Sequence, residues 1–249
     1  MIDKINNIMF VECENLLLHE EVENYRLNKI VSLIVKDEVL KNAIITIQLP
    51  NKKYLIIDGA HRFSALKKIG CKWIPIQVFE PRDVTLMTWR HVVKVNEWYQ
   101  NIDMNLFEIS NSKLIGTEFR VTDFTDKTLA MPNDGMDLIS YMKQWKSIVE
   151  LYSSSVSVKR YSDEESILLD YDEVVIDFPK ITIEEILIAR KKNFLFFPGF
   201  TRFSIPGRLL NVNVPLSLLL TKYFDYERWE EIASKKELRY YAEPTYFFE

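Results

Sequence analysis

The stretch Tyr54-Leu-Ile-Ile-Asp-Gly-Ala-His-Arg-Phe-Ser-Ala-Leu-Lys-Lys-Ile-Gly70 constrains the fold of this chain more than any other. An apolar and aromatic run leads straight into Asp58-Gly59. The spacing then changes to Ala60, Phe63, Leu66 and Ile69, closed by Gly70. A buried strand, a tight turn and a short helix satisfy that pattern. Glycine at the turn lets backbone approach a ligand closely, and the first N–H groups of the helix point outward at the positive end of its dipole. An anion, phosphate foremost, suits such a turn, and Arg62 can clamp it with its planar fork of donors. The plainer alternative makes Asp58 an N-cap and Arg62 a surface side chain. Neither the G-x-x-x-x-G-K-[ST] spacing nor G-x-G-x-x-G is present.

The neighbouring segments build an α+β module around this turn. Ile8–Val11 suits a first strand, and Leu27, Ile30, Val31 and Ile34 fall at helical spacing within a helix from about Val22 to Val35. Glu20, Glu21 and Glu23 then suit the helix N-terminus. Ile44–Gln48 reads as a strand and Leu49–Lys53 as a turn into the next. Cys71–Phe79 supplies a further strand whose Pro75, lacking a donor, predicts an edge position or an irregular start. Glu80-Pro-Arg-Asp83 closes a first module of residues 1–83.

Residues 84–249 form a second, mixed α/β part. Periodicity leaves Thr85–Trp98 open between strand and helix, and Met136–Leu151 reads as a helix broken by Tyr152-Ser-Ser-Ser155. Thr182-x-x-Glu185 is a capping box. Phe194–Phe197 is a strand candidate, followed by a second glycine turn, Pro198-Gly199, ahead of Thr201 and Arg202. Tyr223–Glu249 reads as a helix plus tail, and the stretch from Asn96 to Ser166 matches no motif.

Composition narrows the function classes. The chain has 249 residues, 47% hydrophobic and 27% charged, which is ordinary for a globular protein. Its net charge of −4 and the absence of a long basic block remove the footprint of a dedicated nucleic-acid binder, whereas a nucleotide needs only a local site. Cys13 and Cys71 are too few for a disulfide framework and read as thiols. No run approaches the ~18 apolar residues of a membrane span, and the first residues lack a signal peptide's apolar core, so a cytoplasmic protein is expected.

The segment Ile56-Ile-Asp-Gly-Ala-His-Arg-Phe-Ser-Ala-Leu-Lys-Lys-Ile-Gly70 resembles the nucleotide-binding signature of the ParB/sulfiredoxin-like superfamily, D-G-x-H-R-x-x-A-L-x-x-L-G followed by an apolar strand. Sulfiredoxins carry a reactive cysteine directly before the His-Arg pair, where this chain has Ala60. Partition proteins carry a G-E-R-R-type box and a basic helix-turn-helix, and neither is present. The chain resembles instead the free serine kinases. That likeness extends to Leu18-His-Glu20, to Thr88-Trp89, and to Thr201-Arg202 followed by Ile205-Pro-Gly-Arg-Leu209.

This resemblance implies phosphorylation of free L-serine to O-phospho-L-serine with ATP or ADP and Mg²⁺, in siderophore or amino-acid biosynthesis. It implies Glu20 as general base and Asp58 as support for proton transfer or for the metal. It makes Gly59, Ala60, His61, Arg62, Thr201 and Arg202 phosphate contacts, the last two within a segment 194–210. His19, Trp89 and His91 become candidates for the serine pocket, although His91 stands near a position where the family pattern leads one to expect an aromatic residue. Adenine contacts are expected near Ala43–Ile45 and Trp73–Ile76. Neither a membrane nor a nucleic-acid partner is expected, and oligomeric state stays open. A regulator that binds a nucleotide without transferring its phosphate is the alternative of a different class.

Overall fold

The computed structural model describes residues 8–111, 116–133, 135–153 and 156–239. The expectations for the first seven residues, for Ser154-Ser155 and for the tail beyond 239 lie outside the described residues.

The chain divides into two compact units. One comprises the residues up to Leu17, Asn24–Phe79 and Arg208 onward; the other comprises Leu18–Glu23 and Glu80–Gly207. The division differs from a single cut after Asp83, and backbone pairing gives the reason. Val214 pairs with Leu40, which ties the C-terminal segment to the first unit. Glu20 is bridged to Phe196, which ties Leu18–Glu23 to the second.

In the first unit, strands β1 (Ile8–Glu12) and β2 (Leu16–Leu17) precede helix α1 (Asn24–Asp37). Strands β3 (Val39–Leu40), β4 (Ile44–Gln48) and β5 (Tyr54–Asp58), helix α2 (Ala60–Ile69) and strand β6 (Trp73–Phe79) follow. Five strands form one sheet in the order β1-β6-β4-β5-β2. The strand, turn and helix expected at Tyr54–Gly70 are all present. Gly59 takes the N-cap of α2 with φ +95° and Gly70 its C-cap with φ +91°, left-handed conformations that favour glycine. Helix α1 begins at Asn24, so no acidic residue stands in its first turn.

Strand β6 is interior rather than at an edge. Pairing with β4 begins at Ile76, just past Pro75, whereas β1 pairs with Pro75 through Phe10. The proline therefore has a neighbouring strand on one side only, where its missing donor is tolerated. The C-terminal segment of this unit adds Val214–Pro215 and the helices Leu216–Leu219 and Tyr226–Ser234. Phe10 stacks on Phe224 at 3.8 Å and meets Trp229 edge-on.

In the second unit the undecided stretch Thr85–Trp98 resolves into strands β7 (Thr85–Thr88) and β8 (Arg90–Lys94) and the start of helix α3 (Glu97–Gln100). Strands β9 (Glu108–Ser110), β10 (Phe119–Asp123) and β11 (Thr128–Met131) follow, then helix α4 (Leu138–Ser153). Strands β12 (Lys159–Tyr161) and β13 (Glu173–Asp177), helix α5 (Ile183–Lys191) and strand β14 (Thr201–Ser204) complete the unit. Six strands form the sheet β12-β8-β13-β10-β11-β9, and β14 pairs with β7. The Thr182 capping box is formed as the sequence predicts.

Phe194–Phe197 is not a strand. Phe196 alone bridges to Glu20, donating to His19 O at 2.9 Å and accepting from Glu21 N at 2.8 Å, and Pro198 ends the pairing. Its aromatic side chains fill the core instead: Phe196 stacks on Phe200, and Phe197 packs against Phe178, His91 and Phe200.

Candidate active site

Glu20 sits in the second unit, where its carboxylate is gripped by the glycine turn before β14. Oε2 accepts from the N–H of Gly199 at 2.9 Å, and Oε1 accepts from the N–H of Thr201 at 2.7 Å and from its hydroxyl at 2.5 Å. Three donors from one short turn fix the plane of the carboxylate. Each carboxylate oxygen can accept two hydrogen bonds, so Oε2 retains capacity for another donor. His19 Nε2 lies 2.8 Å from the same Thr201 hydroxyl. That hydroxyl donates to Glu20, so Nε2–H donates to it, and the imidazole is protonated on that nitrogen. His19 is buried, with its ring edge-on to Phe203.

The turn itself is held from several sides. Gly199 has φ +72°, and a Cβ there would meet Arg160 Nε at 2.5 Å. Arg160 Nη2 donates to Pro198 O, and Trp89 N donates to Phe200 O at 3.0 Å. Pairing of Thr201 with Thr88 continues this into β7. The sequence motifs at 18–20, 88–89 and 198–202 are thus parts of one structure.

Arg202, next along β14, stacks its guanidinium 4.9 Å from the ring centroid of Trp89. Its Nη1 is buried with no hydrogen-bond partner among the described residues. A buried guanidinium nitrogen without an acceptor is costly unless a ligand supplies one, and a phosphate or carboxylate oxygen has the matching chemistry.

His91 does not line an open pocket. It is 1% exposed, with Nδ1 2.7 Å from Tyr152 Oη and Nε2 3.3 Å from Gly199 O. Burial and the nearby Arg160 charge push its pKa down to about 3. It cannot touch serine directly, because residues of the core enclose it: Tyr152, Phe178 and Phe197 meet its ring edge-on.

The second group of expected residues lies in the first unit. Asp58 ends β5, and its Oδ2 accepts from Arg62 Nη2 at 2.9 Å and from Arg208 Nη1 at 2.7 Å. Asp58 is not the helix cap; Gly59 is, and no side chain caps the first turn of α2. Arg62 also donates through Nη1 to the carbonyls of Asn42 and Ala43, at 3.0 and 2.6 Å. It is therefore a brace between the glycine turn and the start of β4 as well as a candidate anion contact. A Cβ on Gly59 would come within 3.1 Å of the Arg62 guanidinium and of Ile44. Ala60 and His61 occupy the first turn of α2, both half-buried. The side chains of Ala43, Ile44, Ile45, Ile74 and Ile76 are sealed in the core, so their part in any adenine contact falls to backbone.

Sequence reasoning missed Gly199, whose N–H is a donor to Glu20, and Arg208, the second guanidinium on Asp58. Position in two motifs already singled out was the available signal for both.

No family model matches the chain. The ATP-dependent L-serine kinase SbnI of Staphylococcus aureus is 27% identical over 98% of this chain and 97% of its own length. An ATP-dependent L-serine kinase of Staphylothermus marinus is 24% identical over 85% of this chain and 90% of its own. The ADP-dependent L-serine kinase SerK of Thermococcus kodakarensis is 22% identical over 85% and 92%. Among solved structures, C-terminally truncated SbnI superposes with a TM-score of 0.83 at 25% identity, covering 93% of this chain and 97% of that one. A free serine kinase in complex with AMP gives 0.71 at 20% identity, covering 86% and 93%. In sequence and in fold, over nearly its whole length, this chain is similar to free L-serine kinases.

Proposed function

We propose that this protein is a kinase that transfers a phosphoryl group from an adenine nucleotide to the hydroxyl of free L-serine, forming O-phospho-L-serine. The observation that carries this reading is the likeness to L-serine kinases across both units, with 98% of the chain matched in sequence. The grip on Glu20 supports it chemically.

Serine's hydroxyl is a weak nucleophile at neutral pH, so a carboxylate within hydrogen-bond reach must accept its proton as the new bond forms. Glu20 has that role. Oε2 takes the proton while the serine oxygen bonds to phosphorus, and the bridging P–O bond breaks toward the nucleotide, which leaves with one phosphate fewer. The Gly199 and Thr201 donors hold the carboxylate in one orientation, so little reorganisation accompanies the step. Phosphoryl transfer otherwise depends on positioning and charge neutralisation. Gly59, Ala60, His61 and Arg62 are assigned to the phosphates at the start of α2, and Arg202 to a phosphate contact beside Glu20; both donors of Thr201 are taken by Glu20, so the role of Thr201 is to hold the base rather than a phosphate. His19 and Trp89 are assigned to the serine pocket.

Mg²⁺ fits this chemistry. The ion is commonly held by one or two carboxylates together with substrate phosphates. Both arginines bind Asp58 Oδ2, leaving Oδ1 as the oxygen for a hydrated cation. When bound, the ion would neutralise charge on the phosphates. Among the described residues no cluster of three His, Cys, Asp or Glu side chains forms a cage of its own, in keeping with a metal that arrives with the nucleotide.

The donor is ATP or ADP, since relatives of both kinds are similar to this chain. The product is assigned to siderophore or amino-acid biosynthesis in the cytoplasm. Among the described residues no helix is long and apolar enough to cross a membrane. The test is to incubate purified, folded protein with L-serine, Mg²⁺ and either nucleotide, and to look for O-phospho-L-serine by mass spectrometry.

A further inference from the structure

We infer that His91 is a positioning residue for Glu20, acting through Gly199 and the two peptide groups that flank it. This rests on the reading of Glu20 as the base. A carbonyl oxygen only accepts hydrogen bonds, so the contact to Gly199 O requires the proton of His91 on Nε2. Nδ1 is then the acceptor, and Tyr152 Oη donates to it at 2.7 Å. The tautomer is thus fixed by the Gly199 carbonyl, which can only accept, and the Tyr152 hydroxyl, which can donate or accept, complements it by donating to Nδ1.

Gly199 carries the effect onward. Its carbonyl faces His91 while its N–H donates to Glu20 Oε2. Its left-handed backbone leaves the orientation of its flanking peptides dependent on such contacts. The chain of contacts is Tyr152 Oη to His91, His91 to Gly199 O, and Gly199 N to Glu20. His91 is buried and makes no contact with substrate, so it is not a catalytic residue. Tyr152 belongs to α4 and His91 to β8, so the two rigid elements hold a loop whose own regular pairing stops at Phe196.

Three variants test this. His91→Gln places an amide N–H where Nε2–H stood, His91→Phe keeps an aromatic ring without either hydrogen bond, and Tyr152→Phe removes the hydroxyl that donates to Nδ1 and braces the ring from behind. Each is measured for kcat, for KM of nucleotide and serine, and for hydrogen exchange of the Gly199 amide. In His91→Phe, kcat is expected to fall roughly 10- to 100-fold with the nucleotide KM unchanged, and the Gly199 amide to exchange at least several-fold faster. His91→Gln should recover most of the lost kcat, and Tyr152→Phe should show a smaller loss with the same amide signature. Wild-type kcat and wild-type Gly199 exchange in folded His91→Phe would overturn the inference. So would equal losses in His91→Gln and His91→Phe, which would make packing the cause. If His91→Phe does not fold, Tyr152→Phe carries the decision, and an unchanged amide there counts against the inference. Should the wild-type protein phosphorylate no serine, the kinase reading fails, while the exchange rate of the Gly199 amide still decides whether His91 holds Gly199 in place.

Discussion

Thr201 binds one oxygen of Glu20 twice, once through its backbone N–H and once through its hydroxyl. The backbone bond survives any substitution of the side chain; the hydroxyl bond does not. Thr201→Val keeps the shape and removes the O–H donor, and kcat is expected to fall about tenfold, consistent with the typical worth of a charge-assisted hydrogen bond. Thr201→Ser should stay within a few-fold of wild type. Steady-state kinetics of the pair checks this; equal loss in both would assign the effect to the threonine methyl.

Gly199→Ala should lower both stability and turnover. A side chain at φ +72° is strained, and the added Cβ would push against Arg160, whose guanidinium also binds Pro198 O. A loss of about 1–2 kcal/mol is expected from the backbone alone. Chemical denaturation gives the stability, and kcat should fall further than the lost folded fraction explains, because the Gly199 N–H to Glu20 is misplaced.

Arg62 and Arg208 share Asp58 Oδ2, yet their removal should differ. Arg62 also binds two backbone carbonyls, whereas Arg208 is 40% exposed. Arg62→Ala leaves those carbonyls short of a donor and should cost about 1–3 kcal/mol of stability. Arg208→Ala should cost well under 1 kcal/mol, the range of solvent-screened pairs. Urea denaturation separates the two; a reversed order would mean that Arg62 is not the brace at the start of β4.

Acid should destabilise the second unit through His91. Its pKa falls from 6.5 to about 3 on burial, so between those values the unfolded chain binds a proton that the folded chain does not. Stability from the neutral imidazole is therefore complete above pH 6.5 and declines as pH drops toward 3. The expected loss is roughly 2 kcal/mol by pH 5, from 1.4 kcal/mol per pH unit. In His91→Gln this part of the pH dependence should vanish, as measured by denaturation between pH 7 and pH 5.

The strand, glycine turn and helix at Tyr54–Gly70 were legible because local pattern and tertiary role agree there: apolar β5 enters the sheet, and Gly59 and Gly70 supply the left-handed backbone at both ends of α2. Glu20 was legible as a candidate base only through resemblance. By charge pattern it belonged to a helix N-terminus, but α1 starts at Asn24 and Glu20 is instead bridged to Phe196. That pairing joins residues far apart in sequence, which no local period reports. Phe194–Phe197 misled for a related reason, since aromatic residues favour strands and cores alike, and here the core claimed them. Pro75 predicts an edge position or an irregular start, and β6 runs through the sheet interior because β4 begins its pairing one position further on, at Ile76. His91 stands out in sequence only as a candidate for the serine pocket, with nothing there to indicate that Tyr152 and Gly199 meet its two nitrogens in the core.

The most direct test compares wild-type protein with Glu20→Gln, each incubated with L-serine, Mg²⁺ and ATP or ADP, while O-phospho-L-serine formation and nucleotide affinity are followed together. Wild type should form the product with at least one nucleotide, and Glu20→Gln should lose at least 100-fold in turnover while its nucleotide affinity stays within about a factor of three. No product from folded wild-type protein with either nucleotide, or product from Glu20→Gln at the wild-type rate, would contradict the account.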